Sequence, residues 1–145
     1  MSIVEVFGQG VPTFSFEFFP PKTPEGSDTL FHHIEHLIGL KPSYISVTYG
    51  AGGSTRQLTR DLVLRIQKET SLTVVSHLTC VGSTREEIHT ILETYYAAGI
   101  RNIMALRGDP PQGMERFVAH EGGFKQAAEL VATIKKRHPD MGIGI

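Results

Sequence analysis

A single cysteine, Cys80, leaves the chain without any internal disulfide. Charge of one sign is missing too: 14 Lys and Arg stand against 15 Asp and Glu, a net −1, so the electrostatic footprint needed for nucleic acid or an anionic membrane is absent. No apolar run is long enough to span a bilayer, and no signal-peptide pattern opens the sequence. Together these features lead to the expectation of a cytoplasmic protein with a small neutral or mixed-charge ligand. Neither a G-x-G-x-x-G nor a P-loop lysine is present, so the usual nucleotide fingerprints are missing. What remains, 40% hydrophobic residues in 145, suffices for the core of one ordinary domain. His32 and His36 have the i, i+4 spacing of a metal pair, but His33 and Glu35 beside them read as a solvated helix face. With no third ligand at suitable spacing, no metal site is expected.

The order of apolar and polar residues is repetitive. Ser2-Ile3-Val4-Glu5 is a capping-box pattern that predicts a short helix closing the bottom of the core. Thr13 to Phe18 alternates as a strand, with Glu17 near its carboxyl end, and Pro20-Pro21 stops it. Thr23 and Pro24 then start a helix carrying Leu30, Phe31, Ile34, Leu37 and Ile38 to Gly39. A second strand, Tyr44 to Thr48, leads through Tyr49-Gly50-Ala51-Gly52-Gly53-Ser54 into a helix with Leu58, Leu62 and Ile66 on one face. Those glycines either cradle a phosphate or make a tight turn. Leu72 to Thr79 reads as a third strand with His77 near its end. Thr84 and Glu87 then cap a helix bearing Ile88, Ile91, Leu92 and Tyr95, closed by Gly99. A fourth helix carries Phe124, Ala127, Ala128, Val131 and Ile134, with Lys135, Lys136 and Arg137 suiting its carboxyl-terminal dipole. A fifth strand begins near Met141.

The fourth strand, Arg101 to Leu106, runs into Arg107-Gly108-Asp109-Pro110-Pro111. Gly108 frees the backbone there, and the prolines stiffen it, so Arg107 and Asp109 stand on a firm rim. Read blandly, Asp109 caps a turn and pairs with Arg107. Helical crossovers between units of about thirty residues argue for parallel strands in an α/β chain. Glu17, Thr48, His77 and Asp109 then share the carboxyl-end rim, where barrels and open parallel sheets both bind ligands.

Phe14 to Thr23, Ser46 to Gly53, His77-Leu78-Thr79-Cys80 and Ala105 to Pro111 resemble, in order and spacing, the methylenetetrahydrofolate reductase family. The resemblance runs from about Pro12 onward. It implies the first half, about four βα units plus the start of strand five, of a (β/α)8 TIM barrel, a fold that takes ~250 residues when complete. Residues 1–145 would then be part of a flavin- and folate-binding catalytic domain. On that resemblance the activity is FAD-dependent reduction of 5,10-methylenetetrahydrofolate to 5-methyltetrahydrofolate by NAD(P)H, in one-carbon and methionine metabolism. Glu17 matches the family's proton donor, and Asp109 its aspartate near flavin and pterin. Tyr49, Ala51, His77, Arg107, Gly108 and Ala127 match FAD-lining positions, and Thr48 one that meets the nicotinamide. Phe16, Phe18 and Phe19 would desolvate Glu17 and help keep it protonated. The partners implied are a reduced folate and a pyridine nucleotide, with the parent a homo-oligomer.

Half a barrel also implies open strand edges and an apolar sheet face left uncovered, hence weak retention of FAD and self-association. Two rivals accompany this reading. One is a non-catalytic half-barrel that pairs with a second copy through its strand edges; the other is an open doubly wound sheet binding a phosphorylated ligand at Gly50 to Ser54, with helices on both faces.

Overall fold

A computed structural model describes residues 1–50, 55–110 and 113–145. Ser2 forms the amino-terminal capping box with Glu5 and starts α1 (Ile3–Gly8). Then follow β1 (Ser15–Phe18), α2 (Pro24–Ile38), β2 (Tyr44–Val47), α3 (Arg56–Glu69), β3 (Val74–Thr79), α4 (Arg85–Ala97), β4 (Asn102–Leu106), α5 (Ala127–Arg137) and β5 (Gly142–Gly144). Thr23 caps α2 by accepting from the Gly26 N–H, and Thr84 with Glu87 makes the capping box of α4. Both helices therefore begin where side-chain oxygens satisfy their first free donors.

The strands form one sheet in the order β1-β2-β3-β4-β5, each parallel to the next. Consecutive order is that of a closing barrel; a doubly wound sheet reverses its order at a switch point, and here there is none. Alternation sorts the side chains. Phe16, Phe18, Ile45, Val47, Val74, Leu78, Ile103 and Ala105 join Phe31, Ile34, Leu62, Ile66, Ile88, Leu92, Leu130 and Ile134 of the helices in one apolar cluster. The opposite face carries Glu17, Ser46, His77, Thr79 and Asn102 interleaved with Tyr44, Val75, Met104 and Leu106, so polar and apolar side chains share it. Period-two alternation puts Ile45, Val47, Val74 and Leu78 under the helices and sets the carboxylate of Glu17, the hydroxyl of Ser46 and the imidazole of His77 among apolar residues on the other side.

Three expectations shift. Leu58 is exposed, and the buried face of α3 is Thr59, Leu62, Val63 and Ile66. In α5 Ala128 is exposed while Leu130 and Ile134 are buried, and Phe124 enters the core from the segment before the helix. The third strand starts at Val74 rather than Leu72, because the Thr70 hydroxyl first accepts from the Leu72 N–H and turns the chain.

At the amino-terminal end of the sheet, α1 is held by Asn102. Its Oδ1 accepts from the Ile3 N–H at 2.6 Å and its Nδ2 donates to the Met1 carbonyl at 3.0 Å. Gly142 lets α1 this close, since a Cβ there would stand 2.7 Å from Ser2 Oγ. Asn102→Ala should cost about 1–3 kcal/mol, because the Ile3 donor is buried and has no substitute partner. Chemical denaturation is the check; an unchanged midpoint would mean that the tether adds nothing.

Candidate functional site at the carboxyl ends of the strands

Glu17 lies opposite Ser46 in the ladder between β1 and β2. Ser46 Oγ donates to Glu17 Oε2 at 3.2 Å, and His77 Nε2 faces the same oxygen at 3.3 Å without the alignment of a hydrogen bond. The Glu17 side chain is 51% exposed, the His77 side chain 13%. Phe16 and Phe18 pack under the helices and Phe19 is 75% exposed, so the aromatic neighbours do not desolvate the carboxyl as expected. Adjacent residues of a strand point to opposite faces. Burial pushes the His77 pKa down against the opposing pull of Glu17, which favours a neutral imidazole beside the carboxyl at neutral pH.

Beyond β2 the chain is pinned by hydroxyls. Thr59 Oγ1 donates to the Thr48 carbonyl at 3.0 Å, and Thr55 Oγ1 accepts from the Gly50 N–H at 2.7 Å. Tyr49 turns its ring into the core, where it lines a small pocket between α3 and α4 with Arg56 and Tyr95. Burial raises its pKa, and Arg56 and Ser83 act against that. Ala51 lies outside the described residues, as do Gly52, Gly53, Ser54 and Pro111, so the choice between phosphate cradle and tight turn does too.

Beyond β4, Gly108 has φ +87°, and a Cβ there would stand 2.6 Å from Val81 Cγ2 and 3.0 Å from Thr79 Cβ. Glycine is required on both counts. The close approach brings the ends of β3 and β4 around a cavity of about 110 Å³ lined by Tyr49, Gly50, Thr79, Val81, Leu106, Gly108 and Asp109. An open depression of about 500 Å³ adjoins it over Leu106 to Asp109. Arg107 and Asp109 are exposed and form no ion pair with each other among the described residues; the Arg107 guanidinium stands 5.1 Å from the Phe117 ring centroid. The bland pairing is therefore not what holds this turn.

His77 Nε2 and Thr79 Oγ1 are buried without a hydrogen-bond partner. Such groups carry a desolvation cost unless a ligand or water meets them. Ala127, half-buried, opens α5. Sequence reasoning passed over Ser46 and Thr79, although each sits two residues from a chosen one, the spacing that shares a strand face. Cys80 is buried with its thiol pushed up to about 11 by desolvation, so it stays protonated and packs as a core residue.

A carboxylate, an imidazole, hydroxyls and a glycine-formed hollow at the carboxyl ends of consecutive parallel strands, with helices layered outside, have the layout of a (β/α)-barrel protein, a fold in which this end is where sites are built. The chain belongs to the methylenetetrahydrofolate reductase family, whose sequence model, described as "Methylenetetrahydrofolate reductase", matches residues 2–145. That family is a TIM barrel, and this chain covers its amino-terminal part. It is 46% identical over 144 residues to the 5,10-methylenetetrahydrofolate reductase of Escherichia coli, covering 99% of this chain and 46% of that protein. To methylenetetrahydrofolate reductase (NADH) 1 of Zea mays it is 44% identical over 138 residues, 95% of this chain and 23% of the relative. To methylenetetrahydrofolate reductase 2 of Saccharomyces cerevisiae the identity is 39% over 139 residues, 94% and 23%. The chain thus spans about half or less of the curated relatives it matches.

Proposed function

We propose that residues 1–145 form part of a flavin- and folate-binding catalytic domain that reduces 5,10-methylenetetrahydrofolate to 5-methyltetrahydrofolate with NAD(P)H, in one-carbon and methionine metabolism. The observation that carries this is the position of Glu17, half-exposed on the sheet face that shares its rim with the Gly50–Gly108 hollow. Two buried polar atoms without a hydrogen-bond partner, His77 Nε2 and Thr79 Oγ1, lie on this rim, where a polar ligand would meet them. When bound, FAD would supply hydride transfer between the reduced pyridine nucleotide and the folate. Tyr49, Ala51, His77, Arg107, Gly108, Asp109 and Ala127 would hold it, with Thr48 toward the nicotinamide.

Glu17 supports the acid step. Hydride reaches the one-carbon unit only after the five-membered ring of the substrate opens, and a proton delivered from the Glu17 carboxyl to the departing nitrogen eases that opening. Glu17 is left as a carboxylate, which Ser46 Oγ–H stabilises by donation at 3.2 Å, and its exposure lets solvent return the proton. Asp109, exposed on the turn, would oppose the positive charge of the opened iminium and accept from the pterin amino group. Accordingly Asp109→Asn, in a complete barrel carrying these residues, should raise the flavin reduction potential and weaken folate binding about tenfold to a hundredfold, the worth of a charged hydrogen bond. Potentiometry and folate titration are the checks. A potential that stays put or falls would remove Asp109 from the flavin, and unchanged folate affinity would remove it from the pterin.

The test of the whole reading is anaerobic: such a barrel, purified and mixed with NADH or NADPH, should lose its flavin absorbance and regain it on addition of methylenetetrahydrofolate. Turnover by flavin-free protein would overturn it.

A further inference from the structure

Away from the rim, α2 presents an exposed imidazole pair. His32 and His36 stand one turn apart with their rings perpendicular at 4.6 Å between centroids, and their Nε2 atoms face each other at 3.1 Å. Without an added ion, one ring donates to the other. Yet the spacing also suits a shared ion: with metal–nitrogen bonds of about 2.0–2.1 Å, a 3.1 Å separation sets an N–metal–N angle of about 95–102°, between tetragonal and tetrahedral values. A second observation concerns the outer nitrogen of the same ring. Glu35 Oε2 lies 3.7 Å from His32 Nδ1, beyond hydrogen-bonding distance, so the nearby negative charge favours a cation on this face without fixing the ring. Groups of three or more His, Cys, Asp or Glu side chains placed to hold a metal are absent among the described residues, so water must complete the shell. The 68% exposure of His32 leaves room for it.

We propose that His32 and His36 form a two-imidazole site for a divalent transition ion of the copper and nickel class, on the outer face of α2 and independent of the rim. Imidazole nitrogens suit these ions, and among first-row divalent ions Cu(II) binds such donors most strongly. Binding replaces the imidazole–imidazole hydrogen bond, releases no protein from its fold, and ties the last turns of α2 together. Glu35 does not touch the ion and adds only its charge nearby.

The probe is Cu(II) added to the whole 145-residue chain, followed by calorimetry and by paramagnetic resonance, which counts equatorial nitrogens. One site with two imidazole nitrogens is expected. His36→Ala and His32→Ala should each weaken it at least tenfold and leave one nitrogen. His33→Ala should change nothing, since His33 lies 6.3 Å from His32 between centroids and does not share the Nε2 pair. These are exposed positions, so circular dichroism should show all the variants folded. Glu35→Gln should weaken binding by a smaller factor while both nitrogens remain. Equal affinity for the original chain and either His→Ala variant, or a spectrum with fewer than two imidazoles in the original chain, would overturn the site.

Discussion

Glu17→Gln in a complete barrel should cut folate reduction by about 10²–10⁴-fold, the usual worth of a positioned general acid, while oxidation of the pyridine nucleotide by the bound cofactor keeps its rate. The split follows from the chemistry each half requires. Hydride transfer out of a nicotinamide needs no proton on the folate ring, whereas opening that ring does. The amide keeps the size of the side chain and can still accept from Ser46 Oγ, so loss of position is not the cause of the loss in rate. Stopped-flow measurement of each half-reaction decides the matter, and equal loss in both would move Glu17 from proton donor to cofactor support.

The second large effect is on stability. Gly108→Ala should cost about 2–4 kcal/mol, combining the strain of a left-handed backbone with an overpacked contact. The backbone term follows from φ +87°, and the contact term from the 2.6 Å that would separate the new Cβ from Val81 Cγ2. Gly113 provides the comparison: its φ is +89°, with nothing within 4 Å of a built Cβ. Gly113→Ala should therefore cost only the backbone term, about 1 kcal/mol. Urea denaturation of the two variants separates strain from contact. Equal losses would show that the β3–β4 approach around Gly108 gives way freely, and that the hollow it shapes is soft.

The fold was legible where punctuation and period agree. Thr23-Pro24, the Thr84 to Glu87 box and Gly99 bound their helices as expected, since each satisfies or ends backbone hydrogen bonding locally. Consecutive strand order was beyond periodicity alone, which left barrel and doubly wound sheet both open; only the family resemblance chose between them. The face of α3 was misread in its first turn. Leu58 fits the helical period, yet it lies near the start of α3, while Thr59 is buried to bond the Thr48 carbonyl. The site was read one residue per strand, giving Glu17, Thr48, His77 and Asp109, and the ladder adds the neighbours on the same face. Ser46 and Thr79 are unremarkable residues in sequence; their role depends on which side of the sheet they occupy and on the register Glu17↔Ser46. The desolvation of Glu17 by phenylalanines failed for the same reason in reverse, because sequence neighbours in a strand are spatial opposites.

The central claim is that the β1–β4 rim is where flavin and folate meet. The most direct measurement is a double-mixing experiment on a complete barrel carrying these residues, with NADH or NADPH first and methylenetetrahydrofolate second, followed in the flavin absorbance. Loss and recovery in two steps, with recovery alone slowed by Glu17→Gln, is the predicted result. Recovery at the same rate in Glu17→Gln, with folate reduced to the methyl form, would contradict it.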